Sequence, residues 1–135
     1  MKVCRVVVCL AAVLMIAPLL AHAQSEVTTF NVPFDFMVGK TMMPAGHYAV
    51  QTNASHNNLM IRNEHRSAVV TTQTIDASAG NGHSARLLFR HFDGRYALAE
   101  MWGDDPTYGH AIPVVEHGAS TRLAKADVVE IKAGQ

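Results

Sequence analysis

Histidine and methionine are the residues of this chain whose types and spacing best suit metal chemistry. The sequence contains eight histidines and seven methionines in 135 residues. Imidazole nitrogen binds copper, zinc and nickel, and thioether sulfur favours reduced copper. Met42, Met43 and His47 lie close together and would be the natural start of a copper or other metal site. No two histidines show H-x-H or H-x-x-x-H spacing, so histidines in turns and on outward strand faces are the alternative interpretation.

Five carboxylates are candidates for acid–base chemistry, and Glu100 is the most informative of them. A predicted hairpin places Glu100 opposite Leu87 on the core face, where burial would favour the protonated form that acid catalysis needs. The alternative, which we favour, is that Glu100 lies at the rim of the sheet or pairs with an arginine. The five are Asp35, Glu100, Asp104, Asp105 and Glu116.

Motifs for covalent and phosphate chemistry are missing from the sequence. It contains no G-x-S-x-G nucleophile motif and no glycine-rich phosphate loop. Its two cysteines, Cys4 and Cys9, lie at the extreme N-terminus, so the rest of the chain offers no Cys–His pair. We therefore predict a protein that is not an enzyme and that carries no cofactor.

The first 23 residues have the pattern of a secretory signal peptide. Lys2 and Arg5 precede an apolar run over residues 6–20, and an Ala-His-Ala triplet follows at 21–23. An apolar run of about fifteen residues is shorter than the roughly twenty that span a bilayer. We expect cleavage after Ala23 and export to the periplasm or the medium. Residues 24–135 would then form one cysteine-free domain without a disulfide.

The charge balance excludes two classes of binding protein. Lysine and arginine together number eleven, as do aspartate and glutamate, so the formal net charge is zero. The charges are scattered, whereas a nucleic-acid-binding protein shows a basic face and a polybasic membrane anchor shows a cluster. No second apolar segment follows the first. We expect no nucleic-acid partner and no membrane span in the mature chain.

The stretch from 30 to 50 predicts the body of the protein. Apolar and polar residues alternate in its first half, which is typical of a strand laid over a core. Pro33 cannot donate a backbone hydrogen bond, so we place this strand, residues 28–38, at a sheet edge or at a bulge. The inward side chains would be Phe30, Val32, Phe34, Phe36 and Val38.

The remaining pattern predicts an all-β fold. Asp93-Gly94 favours a two-residue hairpin turn, and pairing Phe92 with Arg95 would put Ala85 opposite Trp102. A helical turn is expected only at 120–126. The other predicted strands are 47–52, 59–64, 67–75, 86–92, 95–102, 111–116 and 127–133. About eight short strands at this spacing predict a single antiparallel β-sandwich or a small barrel.

Two segments of the sequence together resemble a known group of proteins. FNVPFDFMVGKTMMPAGHYAV and RLLFRHFDGRYALAEMWG resemble a family of small exported proteins common in acidobacterial genomes, over residues 30–102. The resemblance implies an all-β exported domain and no catalytic activity. The PAGHYAV turn is also similar to the P-x-G-x-Y-x-V turn of prealbumin-like sandwich domains, and this similarity concerns the fold alone.

These observations favour an exported, non-catalytic β-domain that binds a partner or builds structure at the cell envelope. The partner would be an envelope or extracellular protein, and a free sheet edge could accept one of its strands. One alternative is a periplasmic carrier of copper or another metal that uses histidine and methionine. A further alternative is a barrel that holds a small ligand.

Overall fold

A computed structural model describes residues 27–53, 57–76, 84–105, 107–114 and 127–134 of the chain. The described residues form eleven β-strands and no helix, which confirms the all-β prediction. The predicted signal peptide, the predicted turn at 120–126 and most of the glycine-rich segment at 77–84 lie outside them. The strands are β1 (Val27–Val32), β2 (Phe36–Val38), β3 (Thr41–Met43), β4 (Gly46–Asn53), β5 (Asn58–Arg62), β6 (Ser67–Thr71), β7 (Gln73–Asp76), β8 (Arg86–Phe92), β9 (Arg95–Trp102), β10 (Tyr108–Ala111) and β11 (Asp127–Lys132).

The strands are arranged in two sheets. A four-stranded antiparallel sheet has the order β1-β4-β5-β6. A seven-stranded sheet has the order β11-β8-β9-β10-β7, with β2 added parallel to β9 and β3 antiparallel to β2. In the described part of the chain neither sheet closes on itself, so the barrel alternative is wrong.

The predicted strand at 28–38 is in fact two strands in different sheets. β1 ends at Val32 in the four-stranded sheet, and β2 begins at Phe36 in the seven-stranded sheet. Pro33 lies in the crossing between them, where its missing donor costs no ladder hydrogen bond. Of the five predicted inward residues, Phe34 is half-buried and the other four are buried.

The predicted strand at 67–75 is divided in the same way. β6 belongs to the four-stranded sheet and β7 to the seven-stranded sheet, and Thr72 is the residue between them. Its backbone N–H donates to the Asn57 carbonyl at 2.7 Å, so the crossing loses no backbone hydrogen bond at this point. These two divisions, together with the short strand β3, raise the strand count from about eight to eleven.

The predicted hairpin is present, with its turn as expected. Asp93 and Gly94 both have positive φ, 48° and 72°, as a type I′ turn requires. The predicted pairing holds from the turn as far as Phe89 opposite Leu98. β8 (Arg86–Phe92) and β9 (Arg95–Trp102) therefore confirm both the position and the type of this hairpin.

Beyond Leu98 the predicted register is wrong by one residue. A β-bulge leaves Ala99 without a cross-strand partner, so Leu87 faces Met101 and Arg86 faces Trp102. A bulge inserts one extra residue on one strand and reverses the faces of the residues beyond it. Met101 therefore occupies the core position that was predicted for Glu100.

One core lies between the two sheets. Phe36 of the seven-stranded sheet contacts Tyr48 of the four-stranded sheet edge to face, with ring centroids 5.2 Å apart, and Phe89 at the same distance. Val32, Val50 and Ile61 from one sheet and Val38, Met43, Leu87 and Leu98 from the other belong to the same buried cluster. Interdigitation of the two inward faces is what holds the sheets together.

Candidate functional site

The outward face of the four-stranded sheet is the first candidate site. The residues of β1, β4, β5 and β6 that alternate with the core residues form this face. Arg62 and His47 are its only basic residues, and its strands contribute no carboxylate and no lysine. We call this surface the outer face: Val27, Thr29, Asn31, His47, Ala49, Gln51, Asn53, Asn58, Met60, Arg62, Ser67, Val69 and Thr71.

Three exposed apolar side chains lie in one line across the outer face, with Gln51 between the first and the second of them. Val27 lies opposite Gln51, Gln51 opposite Met60, and Met60 opposite Val69. Directly opposite residues of antiparallel strands share a face and lie side by side. The exposed fractions of Val27, Met60 and Val69 are 52%, 36% and 59%. Three of the four strands thus contribute an exposed large apolar side chain to one line, and we call this line the apolar row.

An open groove of about 390 Å³ adjoins the apolar row. It is lined by outer-face residues that include His47 and Arg62, and by Asn63 and Glu64 of the turn after β5. The Asn63 side-chain oxygen accepts hydrogen bonds from the backbone N–H groups of residues 65 and 66, at 2.9 and 2.7 Å. This local capping stabilises the turn that forms one wall of the groove.

A second candidate site is a small polar pocket at one end of the core. It has a volume of about 20 Å³ and is open to solvent on one side. Two threonines come from the four-stranded sheet, and the other lining residues come from β9, β10 and the segment between them. We call it the end pocket, lined by Thr28, Thr52, Met101, Gly103, Asp105, Tyr108 and His110.

His110 is the most deeply buried titratable group of the end pocket, with 4% of its surface exposed. Its Nδ1 lies 3.4 Å from the hydroxyl oxygen of Thr72, which is buried as well. The ring of Tyr108 meets it edge to face at 6.0 Å. Burial lowers the pKa of His110, because removing the imidazolium from water disfavours the charged form.

The sequence did not point to His110 as a site residue. Residues 103–110 were predicted to be a loop and 111–116 a strand, but β10 runs from Tyr108 to Ala111. Gly109 is the reason that β10 can pair with β9 at this point, since a Cβ atom there would lie 2.7 Å from the Trp102 ring. A strand of four residues with a central glycine gives almost no periodic signal.

The stability of the protein is expected to fall in mild acid through His110. The pKa of His110 is lower in the folded than in the unfolded chain, so the unfolded chain binds the proton first as pH falls below about 6.5. Stability is therefore full above that pH and is lost as pH falls towards the lower folded pKa.

Urea unfolding at pH 7.5 and pH 5.0 measures this loss. His110→Gln should show a smaller difference between the two pH values than the wild type, and His47→Gln, at an exposed position, should behave as the wild type does. Equal pH dependence in wild type and His110→Gln would contradict the assignment.

The three residues predicted to start a metal site do not share one surface. Met43 is fully buried in the core, whereas Met42, its neighbour on β3, is 46% exposed. His47 is exposed on β4 and lines the groove of the outer face. The core encloses the Met43 side chain, while the other two face solvent. The metal site at these residues stays a prediction.

The carboxylates that the sequence singled out accept structural hydrogen bonds. Glu100 is half-buried and accepts the indole N–H of Trp102 at 2.9 Å. Glu116 lies outside the described residues. The remaining three accept backbone N–H groups: Asp35 from Ala45 at 2.8 Å, Asp104 from Ala85 at 3.3 Å, and Asp105 from Thr107 at 2.8 Å. The Asp105 bond is a local turn contact, whereas the Asp35 and Asp104 bonds join segments 10 and 19 residues apart in the sequence.

Two features of the described residues bear on the class of site. No three histidine, cysteine, aspartate or glutamate side chains in the described ranges come close enough together to hold a metal ion. Nor does this part of the chain contain a helix with the length and hydrophobicity needed to cross a membrane. The described ranges contain no cysteine, so they form no disulfide.

The chain matches no known protein family, no curated protein and no solved structure. The candidate sites therefore have to be interpreted from their own geometry.

Proposed function

We propose that this protein is an exported, non-catalytic module of the cell envelope that binds a partner protein through the outer face. The observation that carries the proposal is the apolar row, in which Val27, Met60 and Val69 lie exposed in one line across the four-stranded sheet. Single exposed apolar residues are common on soluble proteins, but an aligned set rimmed by polar residues is typical of an interaction surface.

Export is the second part of the proposal. It is supported by the pattern of the first 23 residues. The architecture we propose for the exported domain is a β-sandwich, supported by two sheets that share one core.

The shape and charge of the outer face favour a protein as the partner. A sheet face is broad and nearly flat, and the interface with a protein partner commonly takes 20–30 residues, about 800 Å², from each side. Arg62 and His47 are the basic groups on the face, and Glu64 in the groove wall is a carboxylate beside them, so the surface carries no strong charge of one sign. The partner surface would therefore be apolar at its centre, opposite the apolar row, and polar around it.

Substitution of Val69 by aspartate tests the proposal. A carboxylate in the middle of an apolar contact would lose its hydration on binding, so the affinity for the partner is expected to fall at least tenfold. The matched control is Val128→Asp, because Val128 is 55% exposed, close to the 59% of Val69, but lies on β11 of the other sheet.

Both variants and the wild type are immobilised and exposed to an envelope fraction of the native host. A protein held by the wild type and by Val128→Asp, but released from Val69→Asp, is then purified and its Kd measured for all three. Equal binding of that purified protein to Val69→Asp and wild type would overturn the assignment of the outer face.

A further inference from the structure

A thioether and an imidazole lie side by side in the end pocket. His110 and Met101 are directly opposite each other on β10 and β9, and both line the pocket. Opposite residues of antiparallel strands have Cβ atoms about 4.5–5.5 Å apart. Their exposed fractions are only 4% and 3%, so both side chains are held in place by packing.

The contact with Thr72 orients the His110 ring. Thr72 Oγ1 lies 3.4 Å from Nδ1, and when Nδ1 carries the proton, the lone pair of the ring is on Nε2. The hydrogen bond between His110 and Thr72 is made at Nδ1 and not at Nε2. A histidine whose second nitrogen is fixed by an oxygen acceptor is the usual arrangement for a metal ligand.

The lining and the size of the end pocket both favour a small cation. Asp105 is its one charged side chain, and no lysine or arginine lines it. The remaining polar groups are the hydroxyls of Thr28, Thr52 and Tyr108, each of which can accept as well as donate. A volume of about 20 Å³ holds one water-sized species and excludes an organic ligand.

We propose that the end pocket binds a single Cu(I) ion through Met101 Sδ and His110 Nε2. Thioether and imidazole donors select reduced copper over magnesium and calcium, which prefer oxygen. The Asp105 carboxylate at the exposed side of the pocket attracts the cation. Because one of its two ligands is a methionine, the site does not require three histidine, cysteine or carboxylate side chains close together. The described residues contain no such group.

Competition with a chromophoric Cu(I) chelator, under reducing and oxygen-free conditions, tests the proposal. All samples are the full chain with Cys4→Ser and Cys9→Ser, so that no thiol competes for the ion. We expect one Cu(I) ion per chain and at least a tenfold weaker affinity in Met101→Leu, which replaces the ligand at nearly constant volume. Met60→Leu, at an exposed methionine of the outer face, is the matched control and should retain full affinity.

X-ray absorption at the copper edge gives a second measurement. Sulfur scattering should be present in the wild type and in Met60→Leu, and absent in Met101→Leu. His110→Asn should also lose the ion, and His65→Asn, at an exposed histidine outside the end pocket, should keep it. If His110→Asn does not fold, the comparison of Met101→Leu with Met60→Leu decides the test. Failure of the wild type to take up one equivalent, or equal affinity in Met101→Leu and Met60→Leu, would overturn the proposal.

Discussion

Replacement of Phe36 by alanine is expected to lower the free energy of unfolding by about 3–5 kcal/mol. Phe36 is fully buried and stands between the sheets, with Tyr48 and Phe89 each 5.2 Å away edge to face. The loss has two contributions. One is the transfer free energy of the removed ring, and the other is the cost of the cavity left between two sheets that cannot close over it. A loss of this size is a large part of the stability of a small domain.

Urea unfolding followed by circular dichroism measures this effect, and Phe34→Ala is its control. Phe34 lies in the crossing between β1 and β2, is half-buried and stacks on Tyr96 at 3.8 Å. Because part of its surface is already exposed to water, its truncation should cost less, about 1–2 kcal/mol. Equal losses for the two variants would contradict the division of 28–38 into two strands with Phe36 at the centre of the core.

Substitution of Gly109 by alanine is expected to destabilise the protein by about 1–3 kcal/mol, although it adds only one methyl group. The new Cβ atom would lie 2.7 Å from the Trp102 ring, well inside van der Waals contact. Trp102 cannot move away easily, because its indole N–H is bonded to Glu100 and the Arg86 guanidinium lies 5.2 Å from its ring centroid. The substitution therefore strains the pairing of β9 with β10, which also positions His110.

A double-mutant cycle with Trp102→Leu isolates this contact. If the tryptophan ring is what Gly109 accommodates, Gly109→Ala should cost little more once Trp102 is leucine, so the two effects will not add. Thermal or urea unfolding of the four proteins gives the coupling free energy. Simple additivity would show that the glycine is needed for another reason.

The alternation of apolar residues predicts the inward faces of this fold but not the crossings between sheets. Phe30 and Val32 face the core from one sheet, and Phe36 and Val38 face it from the other. The side of the chain that faces the core is the same before and after the crossing. The two-residue alternation of apolar side chains therefore continues, and the sequence pattern looks like one long strand. The same continuity hides the crossing at Thr72.

The bulge in β9 was missed for a related reason. Residues 97–99 are Ala-Leu-Ala, and all three are buried, so small apolar side chains fit either register. In the predicted register Glu100 faces the core, and in the observed register Met101 faces it. Only the packed structure shows which of the two is inside. Because small apolar residues have little preference for one face, contacts in the rest of the sheet decide the register.

The candidate sites depend on pairings that one sequence does not reveal. Met60 and Val69 alternate with buried residues on β5 and β6, but the line that they form with Val27 follows from the register of three strand pairs. The end pocket likewise joins residues from β1, β4, β9 and β10. Local spacing drew attention to Met42, Met43 and His47, whereas the side chains brought together in space are Met101 and His110.

Photo-crosslinking from the outer face in intact cells is the measurement that tests partner binding most directly. A photoreactive amino acid is placed at position 69 or, as the control, at position 128, where the valines have similar exposure on different sheets. We predict one discrete cross-linked envelope protein from position 69 and none from position 128. The same product from both positions, or no product from position 69, would contradict the account.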